Sequence, residues 1–394
     1  MSDKDNKKIN KDCELVLSKA NVILYIIFAV LFILLPLPVS ALLKDKLVSE
    51  NNENRVLTEM PVLTKETIDI YPQQFDRYFS DHLPFRDQLI TVGGLFDNYV
   101  MKQTLSGDVA IGKDNWLFYT GTQLPGENPP ADYLGANLFT PEELELCKNN
   151  LVRASEYLAE RDCEFAVVIS PSKMSLYPEY LPGRYGEPAE YKRMQQIADY
   201  LRANTDLNII WEYEPLSEYK ASHPDEQLFL KYDTHENSLG SYVSASAIAE
   251  ALGYEPLKEP DTLEWQEVYD YPWDLSKQMN LGYILTDDVN WWFPNFRDHS
   301  VSRWTNDDMT ELRYTNDCGD GDPKKLMLVS DSFGAGMMPY LSDYFNESYM
   351  IFYFKYTPEL LDKEDPDILV YQVTERLIGN MKTFSMETHF IEPD

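Results

Sequence analysis

The sequence predicts a three-layer α/β domain with a mainly parallel sheet, preceded by an N-terminal transmembrane helix. Three observations point there. Short continuous apolar runs recur along the chain, as in strands buried on both faces. Helical patterns separate those runs, as crossover connections require. A long apolar stretch with lysines ahead of it stands near the N-terminus.

That stretch comes first. Residues Val22 to Leu35 are apolar without interruption, and the milder sequence through Leu43 brings the segment near the roughly 20 residues needed to cross a bilayer. Lys4, Lys7, Lys8, Lys11 and Lys19 precede it, while only Lys44 and Lys46 follow closely. The excess places the N-terminus in the cytoplasm. The expected organisation is a cytoplasmic tail at 1–21, a single-pass signal anchor at 22–43, a polar stalk at 44–67 and an extracytoplasmic domain at 68–394. The alternative is a signal peptide cleaved near Val39-Ser40-Ala41, and either reading exports the remainder. The lack of a polar face argues against a buried globular helix.

Helical spacing runs from Ile68 to Gln103 with a break at Asp81-His82-Leu83-Pro84. Val109–Gly112 and Trp116–Tyr119 read as a hairpin, followed by a loop over 121–138. Thr140-Pro141-Glu142-Glu143 opens a helix to about Arg161, with a cap, a first-turn proline and acidic residues at the positive end. Strands are expected at 165–169, 208–213, 326–330, 350–354 and 368–373, and helices at 187–203, 238–252 and 335–345. Between them, 255–323 is an acidic and aromatic insertion with Trp265, Trp273, Trp291, Trp292 and Trp304. Its rings either stack on sugars or pack onto the core.

Composition narrows the function. With 66 acidic against 34 basic residues the net charge is −32, which repels phosphate and argues against nucleic acid as a partner. Cys13, Cys147, Cys163 and Cys318 form no CxxC pair, so a disulfide scaffold and a zinc ribbon are both disfavoured, and Cys147 and Cys163 are expected to be free.

The chemistry-bearing residues sit at two junctions. Ser332 follows the strand ending at Ser330 and precedes a helix, at the carboxyl edge of the sheet where open α/β folds bind ligands. Gly334 and Gly336 let the backbone turn there, and adjacent amides can hold an oxyanion. A serine in this place can equally be a helix cap. Among five histidines, His235 stands out because Asp233 lies two residues before it on a loop that leads into a helix. Asp233 can accept from one ring nitrogen and leave the other to take a serine proton.

Asp233-Thr234-His235 with Gly240, then Ser330-Asp331-Ser332-Phe333-Gly334, then Pro366 to Arg376 resemble the SGNH hydrolase-like polysaccharide O-acetyltransferases (the group of the alginate acetylation proteins AlgX and AlgJ and the DHHW proteins). Ser170-Pro171-Ser172-Lys173 through Tyr177 to Pro182 is similar to that group's Pro-Asn-Lys segment. Asn54-Arg55, Asp81 to Arg86 and Gly112 to Tyr119 resemble its N-terminal part, so the likeness spans about 52–380. It implies an SGNH-like fold, Ser332 as nucleophile, His235 as base and Asp233 as orienting acid. It also implies oxyanion or substrate contacts at Ser172, Lys173, Gly334 and Arg376, with no metal and no cofactor. Glu236 stands where the group has Trp, Ser330 where it has Gly, and Ser172 where it has Asn. The implied activity is O-acetyl transfer to a polysaccharide acceptor, fed by a membrane-bound O-acyltransferase partner. A deacetylating esterase shares the first half-reaction.

Three rivals have their own residues. An α/β-hydrolase would use Ser332, Asp367 and His389 in that chain order, but too few strands follow the serine. A glycan-binding protein would use the aromatic insertion without catalysis. A metal site would draw on Asp233, His235 and Glu236, although adjacent side chains rarely converge on one ion.

Overall fold

The computed structural model describes residues 19–30, 58–65, 67–82, 86–96, 107–122, 126–269, 274–279, 281–282, 284–292, 300–306, 308–316, 319 and 321–388. Cys13, Cys318, Trp273, His299, His389 and most of the predicted anchor and stalk lie outside these residues. So do the side chains of Trp292 and Trp304.

The chain divides into two compact units, Met1–Gly93 and Gly94–Asp394. In the first, a helix over Lys19–Ala29 covers the start of the predicted span. No helix among the described residues is long and apolar enough to cross a membrane. Helices over Tyr71–Asp81 and Arg86–Leu95 flank the expected break.

The second unit is built on a seven-stranded mixed sheet. Its strands are β1 (Glu164–Ser170), β2 (Asn208–Trp211), β3 (Ser300–Trp304), β4 (Glu311–Asn316), β5 (Asp322–Ser330), β6 (Phe345–Phe352) and β7 (Ile368–Thr374). Their spatial order is β2-β1-β7-β5-β6-β4-β3. The first five are parallel; β4 and β3 add on antiparallel beyond β6.

The apolar runs are continuous because both sheet faces are covered. In β5, Leu326 and Leu328 join one core while Met327 and Val329 join the other. In β7, Ile368 and Val370 divide in the same way from Leu369, Tyr371 and Val373. Helices α1 (Pro141–Ala159) and α2 (Arg193–Asn204) cover one face. Helices α3 (Tyr213–Ser222), α4 (Ser238–Ala251) and α5 (Phe333–Leu341) cover the other. The three layers are as expected. The first helix starts as its sequence predicts, with Thr140 accepting from the Glu143 amide and the Glu143 carboxylate accepting from the Thr140 amide.

Three expectations need correcting. The expected helix at 187–203 starts only at Arg193, and the expected strand at 208–213 ends at Trp211 because a helix begins at Tyr213. The region 255–323 is not wholly an insertion, since β3 and β4 extend the sheet. In β4, Leu312, Tyr314 and Asn316 point inward on alternate positions. Trp265 and Trp291 pack edge-to-face on each other, 3.9 Å between ring centroids, with Trp291 buried. For this pair packing prevails over an open sugar platform. The predicted hairpin forms between Val109–Ile111 and Leu117–Tyr119, and Cys147 and Cys163 are free and buried.

Candidate active site

Strand β5 delivers the serine. Ser330 ends it fully buried, and Asp331 pins the following turn from three sides. The Asp331 carboxylate accepts from the amides of Phe333 (3.0 Å) and Thr374 (2.8 Å), and the Asp331 amide donates to Gln372 Oε1 (3.2 Å). Ser332 therefore sits at the start of α5 on a turn anchored to β7. Its hydroxyl does not cap the helix.

Gly334 is fixed by space at this turn. A Cβ there would stand 2.1 Å from Ser330 Oγ and 2.6 Å from Ser330 Cβ. Gly334→Ala is accordingly expected to destabilise the fold by about 1–3 kcal/mol, read as a lowered midpoint of chemical denaturation. An unchanged midpoint contradicts the packing at the turn.

The imidazole comes from the loop between Phe229 and Glu236, which pair as an isolated antiparallel bridge. Asn237 then caps α4 by accepting from the Gly240 amide at 2.9 Å. Lys173 stitches this loop from inside. Its ammonium donates to the carbonyls of Leu230 (2.9 Å), Lys231 (3.2 Å) and Asp233 (2.5 Å). Burial pushes Lys173 down to about 8 against the pull of Asp288, Asp274 and Asp233.

The two junctions meet. His235 Nε2 lies 2.6 Å from Ser332 Oγ, and His235 Nδ1 lies 2.6 Å from Asp233 Oδ1. An ionised carboxylate can only accept, so Nδ1 carries the proton and Nε2 accepts from the serine hydroxyl. Asp233 Oδ1 also accepts from the His235 amide (3.0 Å) and Oδ2 from the Asp274 amide (2.9 Å). Burial works against the Asp233 charge, yet the imidazole and these donors hold its carboxyl well below the usual range. For His235, burial opposes the charged form, but the Asp233 carboxylate outweighs it and raises the ring above its ordinary 6.5. The His235 side chain remains 32% exposed, so a ligand can reach it.

Asp274 is the residue sequence reasoning missed. Its carboxylate accepts from the Thr234 amide (2.9 Å) and hydroxyl (2.6 Å), clamping the middle of Asp-Thr-His. Burial and the Asp233 charge push it up to about 6. It lies in an acid-rich stretch where no spacing singles it out. Donor atoms of Asp233, His235 and Asp274 lie within 4.8 Å of one another, a grouping able to hold a cation. Each is already engaged in the hydrogen bonds just given, and Glu236 is not part of the group.

Three of the remaining predicted contacts, Ser172, Lys173 and Arg376, line a small cavity beside the pair. Thr234 and Phe333 also border it. The Ser172 amide donates to buried Glu375 (3.0 Å), and Arg376 donates to Glu127 (3.2 Å) while lying over the Tyr119 ring. Gly334 supplies room rather than a contact. Asp367 of the rival triad accepts from the Lys325 amide near the start of β5, at the opposite edge of the sheet from Ser332. His223 stacks on Tyr219, and His82 stacks on Tyr78.

Residues 109–348 match the family model described as the SGNH hydrolase-like domain of the acetyltransferase AlgX. The chain is 26% identical over 220 residues to the probable alginate O-acetylase AlgJ of Pseudomonas syringae pv. tomato, covering 54% of this chain and 51% of that protein. It is 24% identical over 153 residues to the AlgJ of Pseudomonas putida, covering 39% and 36%. The chain thus spans about a third to a half of the length of these curated relatives. Among solved structures, Bacillus cereus PatB1 is similar with a TM-score of 0.50 at 15% identity, over 71% of this chain and 98% of that one, a likeness of fold.

Proposed function

Because the chain belongs to the family of the SGNH hydrolase-like domain of AlgX, we propose that it is an extracytoplasmic O-acetyltransferase acting on a polysaccharide. The observation that carries this reading is the hydrogen-bonded row Asp233–His235–Ser332, with 2.6 Å at each step. Tail 1–21, anchor 22–43, stalk 44–67 and domain 68–394 are the proposed organisation, with a membrane-bound O-acyltransferase supplying acetyl groups from the same bilayer.

In the first half-reaction Ser332 Oγ attacks the acetyl carbonyl of a donor while its proton passes to His235 Nε2. The tetrahedral oxyanion forms beside the Ser332 amide at the start of α5, where the helix dipole favours negative charge. Collapse breaks the bond to the donor's leaving group, which takes the proton back from Nε2. A sugar hydroxyl then gives its proton to Nε2 and attacks acetyl-Ser332, releasing the acetylated sugar and the reprotonated serine. Asp233 remains ionised and keeps the ring in the tautomer both halves need.

Two expected outcomes follow from the tautomer. Asp233→Asn is expected to lower turnover about 10⁴-fold by letting Nδ1 accept instead of donate; stopped-flow acylation measures it, and a loss below about tenfold contradicts the assignment. The second concerns pH. The base must be neutral and its ring is held above 6.5, so acylation falls as pH drops through a limb lying above 6.5. In Asp233→Asn that limb moves down. A wild-type limb below 6.5 contradicts this.

The overall reading is tested by incubating the full-length chain with an acetyl ester and a panel of oligosaccharides, followed by mass spectrometry. Acetylated sugar that disappears in Ser332→Ala supports the transferase. Acetate alone supports an esterase, and neither product removes the enzyme reading.

A further inference from the structure

A cavity of about 290 Å³ opens beside the Ser332–His235 pair. Leu230 and Phe333 give it an apolar side; Asp233, Glu236 and Ser241 give it a polar one. Its size is at the lower end of ordinary small-ligand pockets. Glu236 follows the base directly and is only 6% exposed. One of its carboxyl oxygens accepts from Ser244 Oγ at 3.2 Å. The other, Oε2, is buried and has no hydrogen-bond partner among the described residues. Ser241 and the buried Glu212 carboxyl also act on this carboxyl, so Glu236 stands in the cavity wall as part of a buried polar cluster that a hydroxyl-bearing ligand can join.

The charges around this cavity restrict the ligand. Among the described residues no lysine or arginine lines it. The two cations of the neighbouring cavity are engaged elsewhere, Lys173 with three carbonyls and Arg376 with Glu127. A carboxylate entering here loses its hydration, stands beside the Asp233 carboxylate and meets no lysine or arginine among the described residues of the lining, which is the costly way to bury an ion. A chain of net charge −32 also repels a polyanion before it arrives. An uncharged sugar meets neither penalty. Burial, reinforced by the nearby Glu212 carboxyl, holds Glu236 well above the usual carboxylate range, so it can donate as well as accept.

Resting on the transferase reading of this site, we infer that the cavity binds a sugar ring of an acceptor glycan without acid groups, its hydroxyls hydrogen-bonded by Glu236 and Ser241. Glu236 is then a specificity residue, and the acceptor is not a polyuronate.

Binding separates this from the chemistry. The full-length Ser332→Ala chain is titrated calorimetrically with neutral oligosaccharides of glucose, mannose, galactose and N-acetylglucosamine, and with oligomannuronate and oligogalacturonate of equal length. At least one neutral ligand is expected to bind about tenfold tighter than either uronate. Added salt should strengthen any uronate binding and leave the neutral ligand unaffected. In the same background Glu236→Leu should weaken the neutral ligand about tenfold, with Glu236→Gln recovering most of the loss. Tighter uronate binding, uronate affinity that falls with salt, or no neutral ligand bound at all overturns the inference. The transferase reading is judged apart from this, by acetylation of Ser332 in the unsubstituted chain. Neutral-glycan binding without that acetylation leaves the ligand class standing and removes the reaction.

Discussion

Replacing His235 with Ala is expected to lower acylation of the enzyme by about 10⁴–10⁶-fold, and Ser332→Ala by a similar factor. The two losses should not add. Once the base is gone the hydroxyl keeps its proton, and once the hydroxyl is gone the base has nothing to receive. The double variant should therefore be no slower than the worse single variant, as for groups acting as one unit. Pre-steady-state release of a chromogenic leaving group from an acetyl ester measures all three. Two independent losses that multiply contradict the 2.6 Å Ser332–His235 contact as the working one.

Lys173→Met is expected to have the next largest effect, although Lys173 is assigned no proton transfer. It removes three donors from one buried point and leaves the carbonyls of Leu230, Lys231 and Asp233 without their partner. The cost to folding is expected to be about 3 kcal/mol, since orphaned buried acceptors lose their full desolvation penalty. The same loop carries Asp233 and His235, so a displacement of the order of 1 Å should slow acylation about a hundredfold. Denaturant midpoints and acylation rates, both taken well below the unfolding temperature, measure the two effects. A variant with full stability and full activity contradicts the role of the ammonium as a clamp.

The parallel strands were legible because burial on both faces writes itself as a continuous apolar run. Phe165–Ile169 and Leu326–Ser330 needed no further context. Strand β4 was less visible, because its alternation of Leu312, Tyr314 and Asn316 is interleaved with Glu311, Arg313 and Thr315 inside an acidic stretch. The helix after Trp211 was hidden by the apolar and aromatic residues that continue the strand pattern into it.

At the candidate site, Asp233, His235 and Ser332 were singled out from residue type and position, because the proposed roles of orienting acid, base and nucleophile each demand a narrow choice of side chain, and the structure brings the three side chains together. The roles of their supports were not readable. Lys173 stood out by resemblance, yet its grip on three carbonyls depends on a loop some sixty positions away. Asp274, Asp331 and Glu127 are ordinary acidic residues in a chain with 66 of them, and only tertiary structure distinguishes them. Glu236 was visible as a departure from the family pattern, but its burial at the cavity wall was not.

The most direct measurement is peptide mass spectrometry of the full-length chain after brief exposure to an activated acetyl ester. The account predicts an acetyl group on the peptide containing Ser332, at the serine itself, and its absence from folded Ser332→Ala and His235→Ala. Folded protein that stays unmodified, or that carries the acetyl group on another residue while Ser332→Ala keeps full activity, contradicts it.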